Sequence, residues 1–322
     1  MWSYNFVTIK ILQGNCLDKI KELEDNSIDC VVSSPPYFGL RDYGVNGQFG
    51  LEKTYQDYLA NTVKVFETFK PKLKDTATIW WNVGDSYSSG SRKTTTLQTV
   101  RKPKSNEISK SKQKYLDGLI VRPAIQTGIK EKDLLMIPNR VAIALQEAGW
   151  YIRSEIIWHK PNPMPESVRD RPTSCHEKIW LITKNKKYYY DAQSIKEPVV
   201  TSKNTKSGCR FGGNKTTKEL NATISGNKWE YSSTRNKRNV WTITTKPFKD
   251  AHFATFPKDL IEPCIKAGCP ENGIVLDPFG GSGTTGVVAA HNNRNAILIE
   301  LNREYISIAN KRINKELGLF NT

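Results

Sequence analysis

Two apolar spacings alternate along the chain, one of period two and one close to 3.6. Ile9-Lys10-Ile11-Leu12 reads as a strand and residues 17–23 as a short helix. Ile28, Cys30, Val31 and Val32 mark a second strand, which runs directly into Ser33-Ser34-Pro35-Pro36. Tyr58, Leu59, Val63, Phe66 and Phe69 recur near helical spacing, predicting a helix over residues 55–69, and residues 76–83 read as a strand. A helix over 138–148 would turn Val141, Ala144, Leu145 and Ala148 inward, ahead of strands at 151–158, 178–183 and 187–190. The last section repeats the alternation: helix 257–267, strand 273–276, a helix opening near Thr284, strand 296–299, and a helix from Arg303 to about Leu317. Trp80 and Trp81 fall on opposite faces of their strand, so one of them is expected in the core. Strands alternating with helices predict an α/β fold whose mostly parallel sheet is covered on both faces.

Two stretches break this rhythm. Residues 86–126 are polar, rich in Ser, Thr and Gly, and read as a flexible insertion; residues 196–241 are polar again, with Gly208, Gly212, Gly213 and Gly226 among scattered aromatics. The charge sits there too. The 322-residue chain carries a net +16, and residues 92–132 hold 11 basic against 3 acidic side chains, residues 186–249 hold 14 against 4, and the remainder 23 against 25. A solvated lysine-rich loop would explain either segment alone. Two of them on an otherwise neutral body favour a phosphate-backbone partner. No apolar run approaches the roughly 18–20 residues that span a bilayer, and residues 1–6 lack the basic start of a secretory signal, so no membrane partner is expected. Six cysteines without a CxxC pair and only four histidines predict free thiols in a reducing cytoplasm and no metal site.

Candidate chemistry lies at two strand ends. Ile274-Val275-Leu276 stops at Asp277-Pro278-Phe279-Gly280-Gly281-Ser282-Gly283-Thr284-Thr285. Gly281 and Gly283 allow close backbone approach to a ligand, and Thr284 and Thr285 open a helix whose free amides favour electron-rich groups. The next strand ends at Glu300, 23 residues beyond Asp277, about where a nucleotide-binding βαβ unit places the carboxylate that accepts from ribose hydroxyls. The turn lacks the Lys-Ser/Thr of a phosphate loop and departs from G-x-G-x-x-G. A turn that merely packs helix on strand is the plainer alternative.

Near the other end, Ser34-Pro35-Pro36-Tyr37 follows a buried strand, at the edge where open α/β sheets bind ligands. The prolines stiffen the backbone, so the Ser34 hydroxyl oxygen and the Pro35 carbonyl can together accept the two N–H groups of an exocyclic amine. Such a nitrogen is a poor nucleophile until its lone pair is freed from the ring. Tyr37 offers a face for stacking the base. A base inside a duplex cannot reach such a pocket without being flipped out. Alone, this tetrapeptide reads equally well as a proline-rich turn.

Together these residues resemble the S-adenosylmethionine-dependent DNA amino-methyltransferases in the order where the catalytic motif precedes the cofactor motif. The resemblance covers nearly the whole chain, including Trp158-His159-Lys160-Pro161-Asn162-Pro163, His176-Glu177-Lys178-Ile179 and residues 239–257. It implies a Rossmann-like, circularly permuted fold with a mostly parallel seven-stranded sheet and a small DNA target-recognition region. Ser before Pro-Pro resembles the cytosine-N4 enzymes, whereas adenine-N6 enzymes more often carry Asp or Asn there. By the resemblance, Phe253, Thr255, Phe256 and Pro257 border the methionine end of the cofactor, and Asp277, Phe279, Gly281, Ser282 and Gly283 surround its amino-acid and ribose parts. Asn15 stands where the family commonly has an Asp that contacts the cofactor adenine.

The implied division is residues 1–85 and 131–195 as the catalytic half, 86–130 as a basic insertion, 196–245 as the target-recognition region and 246–322 as the cofactor half. The expected partner is double-stranded DNA. A bacterial or phage restriction–modification setting implies a separately encoded endonuclease and a cytoplasmic, nucleoid-associated location. Adenine-N6 methylation, RNA methylation and inactive DNA binding are the alternatives.

Overall fold

The computed structural model describes residues 7–45, 47–88, 129–199, 233–245 and 256–318. Most of the basic insertion, most of the target-recognition region, and both Phe253 and Thr255 lie outside the described residues.

In chain order the elements are β1 (Ile9–Gln13), α1 (Cys16–Lys21), β2 (Ile28–Ser33), α2 (Tyr55–Phe69), β3 (Leu73–Val83), α3 (Ile137–Glu147), β4 (Tyr151–His159), β5 (His176–Thr183), β6 (Glu197–Pro198), β7 (Thr234–Arg235), β8 (Val240–Thr242), α4 (Lys258–Gly268), β9 (Ile274–Asp277), α5 (Thr284–His291), β10 (Asn295–Glu300) and α6 (Arg303–Leu317). One sheet carries the order β1-β10-β9-β2-β3-β5-β4-β8, and β6 and β7 form a separate antiparallel pair. Within the large sheet β5 alone runs against its neighbours. The seven strands that the resemblance implies are present, and the three-residue β8 adds an eighth at the edge, parallel to β4. β1 lies parallel to β10 with α6 nearby, the place a strand following α6 would take, as the permuted order requires.

The sheet is covered on both faces because its central strands are apolar on both. On β2, Val31 packs on the side of α1, α2 and α3, and Cys30 and Val32 pack on the side of α4, α5 and α6. Trp80 and Trp81 divide in the same way, so both are core residues and not one. The expected strand at 187–190 is absent. β5 is already hydrogen-bonded on both edges, to β3 and β4, so no ladder is open to a following strand. The aromatics there pack instead: Tyr190 stacks at 6.5 Å on Trp80, and Tyr188 lies under the Arg153 guanidinium.

Candidate active site

β2 and β9 are hydrogen-bonded neighbours, so the turns that follow them leave the sheet side by side. A side-chain hydrogen bond ties their starts together: the Ser33 hydroxyl donates to Asp277 Oδ1 at 2.6 Å, between residues 244 apart in sequence. Asp277 also accepts from Thr285 Oγ1 at 2.5 Å and from the Phe279 amide at 3.1 Å. One buried carboxylate thus joins the end of β2, the glycine turn and the first turn of α5. Burial pushes its pKa up to about 6, despite the opposing pull of those bonds.

A cavity of about 830 Å³ opens at this edge. Asn15, Ser34, Pro35, Pro36, Tyr37, Phe256, Asp277, Phe279, Gly281, Ser282, Thr284 and Glu300 all line it. Two expected residues do not. Gly283 (φ +79°) backs onto α6, where an added Cβ would sit 3.0 Å from Ala309 Cβ, and Pro257 is the buried N-cap of α4.

The glycine turn is held from both sides. The Gly281 amide donates to Glu300 Oε2 at 2.8 Å, and the Asn302 amide donates to Glu300 Oε1 at 2.7 Å. Arg312 on α6, unremarked in the sequence, donates to Thr284 Oγ1 at 2.8 Å and to the Ser282 carbonyl and hydroxyl at 3.3 and 3.2 Å. Its signal was faint, one of several basic residues on a helix. Gly281 has φ +49°, and an added Cβ would meet nothing nearer than the Phe279 carbonyl at 3.9 Å. Glycine is therefore needed here for backbone conformation and open space rather than for packing. Burial raises the Glu300 pKa, while its amide bonds oppose the rise. Each carboxylate oxygen keeps a lone pair for a ligand hydroxyl. Asn15 caps α1, its Oδ1 accepting from the Leu17 amide at 2.9 Å, which leaves its amide nitrogen as the donor on this wall.

Around Ser34 the polar groups form a chain. Ser34 Oγ donates to the Tyr37 hydroxyl at 3.2 Å, and Tyr37 donates to Glu177 Oε2 at 2.6 Å. Lys160 pairs with Glu177 Oε1 and stands 4.3 Å above the Trp158 ring. Burial, and after it the Glu177 carboxylate, pushes the Tyr37 phenol well above its ordinary pKa, so it remains a donor. The edge of the Tyr37 ring lies against Gly84, where a Cβ would fall 2.5 Å from Cε2. Glu177 and Lys160 are cavity residues that sequence reasoning left without a role, although each lies where β5 begins or β4 ends.

The PvuII DNA methyltransferase (cytosine-N4-specific) superimposes with a TM-score of 0.61, over 98% of this chain and 92% of that one, at 18% identity. The M1.HpyAVI–SAM complex gives 0.50, over 95% and 100%, also at 18%. In sequence, the Type II methyltransferase M.SmaI of Serratia marcescens is 43% identical over 96% of this chain and 92% of its own length. M.Cfr9I of Citrobacter freundii is 42% identical over 95% and 88%. The DNA methylase family model matches residues 28–311. The chain belongs to this family of N6/N4 DNA methyltransferases.

Proposed function

We propose that this protein transfers a methyl group from S-adenosylmethionine to the N4 amino group of a cytosine flipped out of duplex DNA. The observation that carries the reading is the shared cavity: the Ser34 hydroxyl and the Gly281–Glu300 turn face one space, with Ser33 and Asp277 bonded behind them. The family match and the TM-score to a cytosine-N4 enzyme are consistent with it.

The cofactor fits the glycine turn. Glu300 keeps lone pairs for ribose hydroxyls, Gly281 leaves room for backbone approach, and Asn15 and Phe279 line the same wall. The M1.HpyAVI structure of the same fold was determined with SAM. Bound S-adenosylmethionine supplies an electrophilic methyl group on a sulfonium sulfur.

The chain's own residues do the rest. Because Ser34 gives its proton to Tyr37, its lone pairs are free to accept from the base amine. Pro35, next along the stiffened backbone, offers its carbonyl to the second N–H. Holding both draws the nitrogen toward tetrahedral geometry, frees its lone pair and stabilises the positive charge that develops there. The ammonium product is acidic enough to lose its proton to water. The basic segment within residues 196–245 supplies phosphate contacts and base reading. The Type II naming of M.SmaI and M.Cfr9I supports a restriction–modification role with a separate endonuclease.

Nucleoside mass spectrometry of DNA from a methylation-free host expressing the chain tests the base. N4-methylcytosine is expected. N6-methyladenine as the sole product would reassign the target, and label entering RNA alone would overturn the substrate.

A further inference from the structure

Between β4 and β5 the chain makes a loop, residues 160–175, whose first part carries Asn162-Pro163-Met164-Pro165. Met164 is 84% exposed, whereas the next most exposed large hydrophobic among the described residues, Val240, stands at 59%. An isolated apolar side chain on a surface is ordinary. This one is different in where it stands and how it is held. Met164 lines the opening of the cavity that has Ser34 and Pro35 in its wall, together with Lys160, Asn162, Pro163 and Pro165.

Both arms of the loop are braced. Asn162 Oδ1 accepts from the Thr245 amide at 3.0 Å, and its Nδ2 donates to the Thr245 carbonyl at 3.2 Å. On the far arm Arg171 donates to Glu166 at 2.7 Å, the Ser174 amide donates to Glu166 at 3.2 Å, and the Arg171 guanidinium lies 3.8 Å over the Tyr87 ring. Pro163 and Pro165 fix φ, and each restricts the residue before it to extended backbone. The segment is thus a braced, proline-stiffened stretch that carries one exposed, flexible, polarizable side chain.

We propose that Met164 is the wedge that enters the DNA stack where the target base leaves it. The inference rests on the proposed reading of base extrusion into this cavity. Extrusion leaves an apolar gap between two base pairs, and a thioether side chain adapts to an irregular gap and makes favourable contacts with ring edges. Proteins that open or kink a duplex insert side chains of this kind. A wedge beside the cavity would delay return of the base without touching the reacting atoms.

The test uses the full chain and two duplexes containing the site found by modification mapping, one fully paired and one with the target base mispaired. Met164→Ala should lose roughly tenfold in kcat/KM on the paired duplex and stay within about twofold of the unaltered protein on the mispaired one, whose base is already loosened. Met164→Leu should retain most activity on both. A fluorescent analogue at the target position should brighten less with Met164→Ala than with the unaltered protein. Equal losses on both duplexes, or none on the paired one, would overturn the wedge while leaving the methyl-transfer reading intact. That reading fails separately if the unaltered protein methylates neither duplex.

Discussion

Tyr37 has one hydroxyl proton and faces two groups that can only receive it, Glu177 Oε2 at 2.6 Å and Asn82 Oδ1 at 3.0 Å, so toward Ser34 it accepts. In the proposed mechanism, that order of bonds leaves Ser34 Oγ with lone pairs for a base. Tyr37→Phe removes the acceptor and lets the Ser34 hydroxyl rotate. The rate of methyl transfer should then fall roughly tenfold or more, with cofactor affinity unchanged by calorimetry. An unaltered rate would dismiss the orienting role. Asp277 makes a different kind of prediction. Its carboxyl is held above the ordinary 3.8, at about 6, so the folded chain binds this proton more readily than the unfolded chain does. Its contribution to stability is therefore present below about pH 4 and is lost as the pH rises through 6. Asp277→Asn should remove that component. The difference between the two unfolding profiles should change by about 2 kcal/mol between pH 4 and pH 7. A flat difference would show that burial does not perturb this group. Sequence pointed to Asp277 as a ligand residue; its bonds to Ser33 and Thr285 were not legible, because they depend on two strands meeting in space.

Among elements, legibility followed periodicity and capping. α2 and α6 have the bounds the sequence predicts, since each pairs a 3.6-residue apolar stripe with an N-cap: Thr54 accepts from the Asp57 amide and Asn302 from the Glu304 amide. The tyrosines at 188–190 have strand-like composition but no free edge to join, and local sequence carries no information about which edges are filled. β8 fails the other way. Three residues are too few to show a period, and the strand exists because β4 offers it an edge. Gly84, just past β3, is an element-level device of the same hidden sort: it is small because the Tyr37 ring crosses it. Gly84→Ala should force that ring aside, costing about 1–3 kcal/mol of stability and slowing methyl transfer together. Chemical denaturation and a transfer assay check both. Unaltered stability and rate would mean the ring has room to spare.

At the scale of the whole molecule, the α/β class and both turns of the candidate site could be read directly, because buried strands ending in turn chemistry are local features. That the Ser34 corner and the Gly281 bend share one space was an inference from chemical fit, and the placing of β2 next to β9 brings both to one cavity. The loop carrying Met164 was illegible for a related reason: exposure is a property of the assembled fold. The two basic segments were plain in the charge distribution. What joins all of this is one claim, that the proline corner and the glycine bend form a single reaction space. Single-turnover transfer of labelled methyl to duplex DNA by Ser34→Ala, with cofactor binding measured alongside, tests it most directly. The account predicts a loss of roughly 100-fold or more in transfer, with cofactor and DNA affinities within about twofold of the unaltered protein. Transfer at the unaltered rate would contradict it.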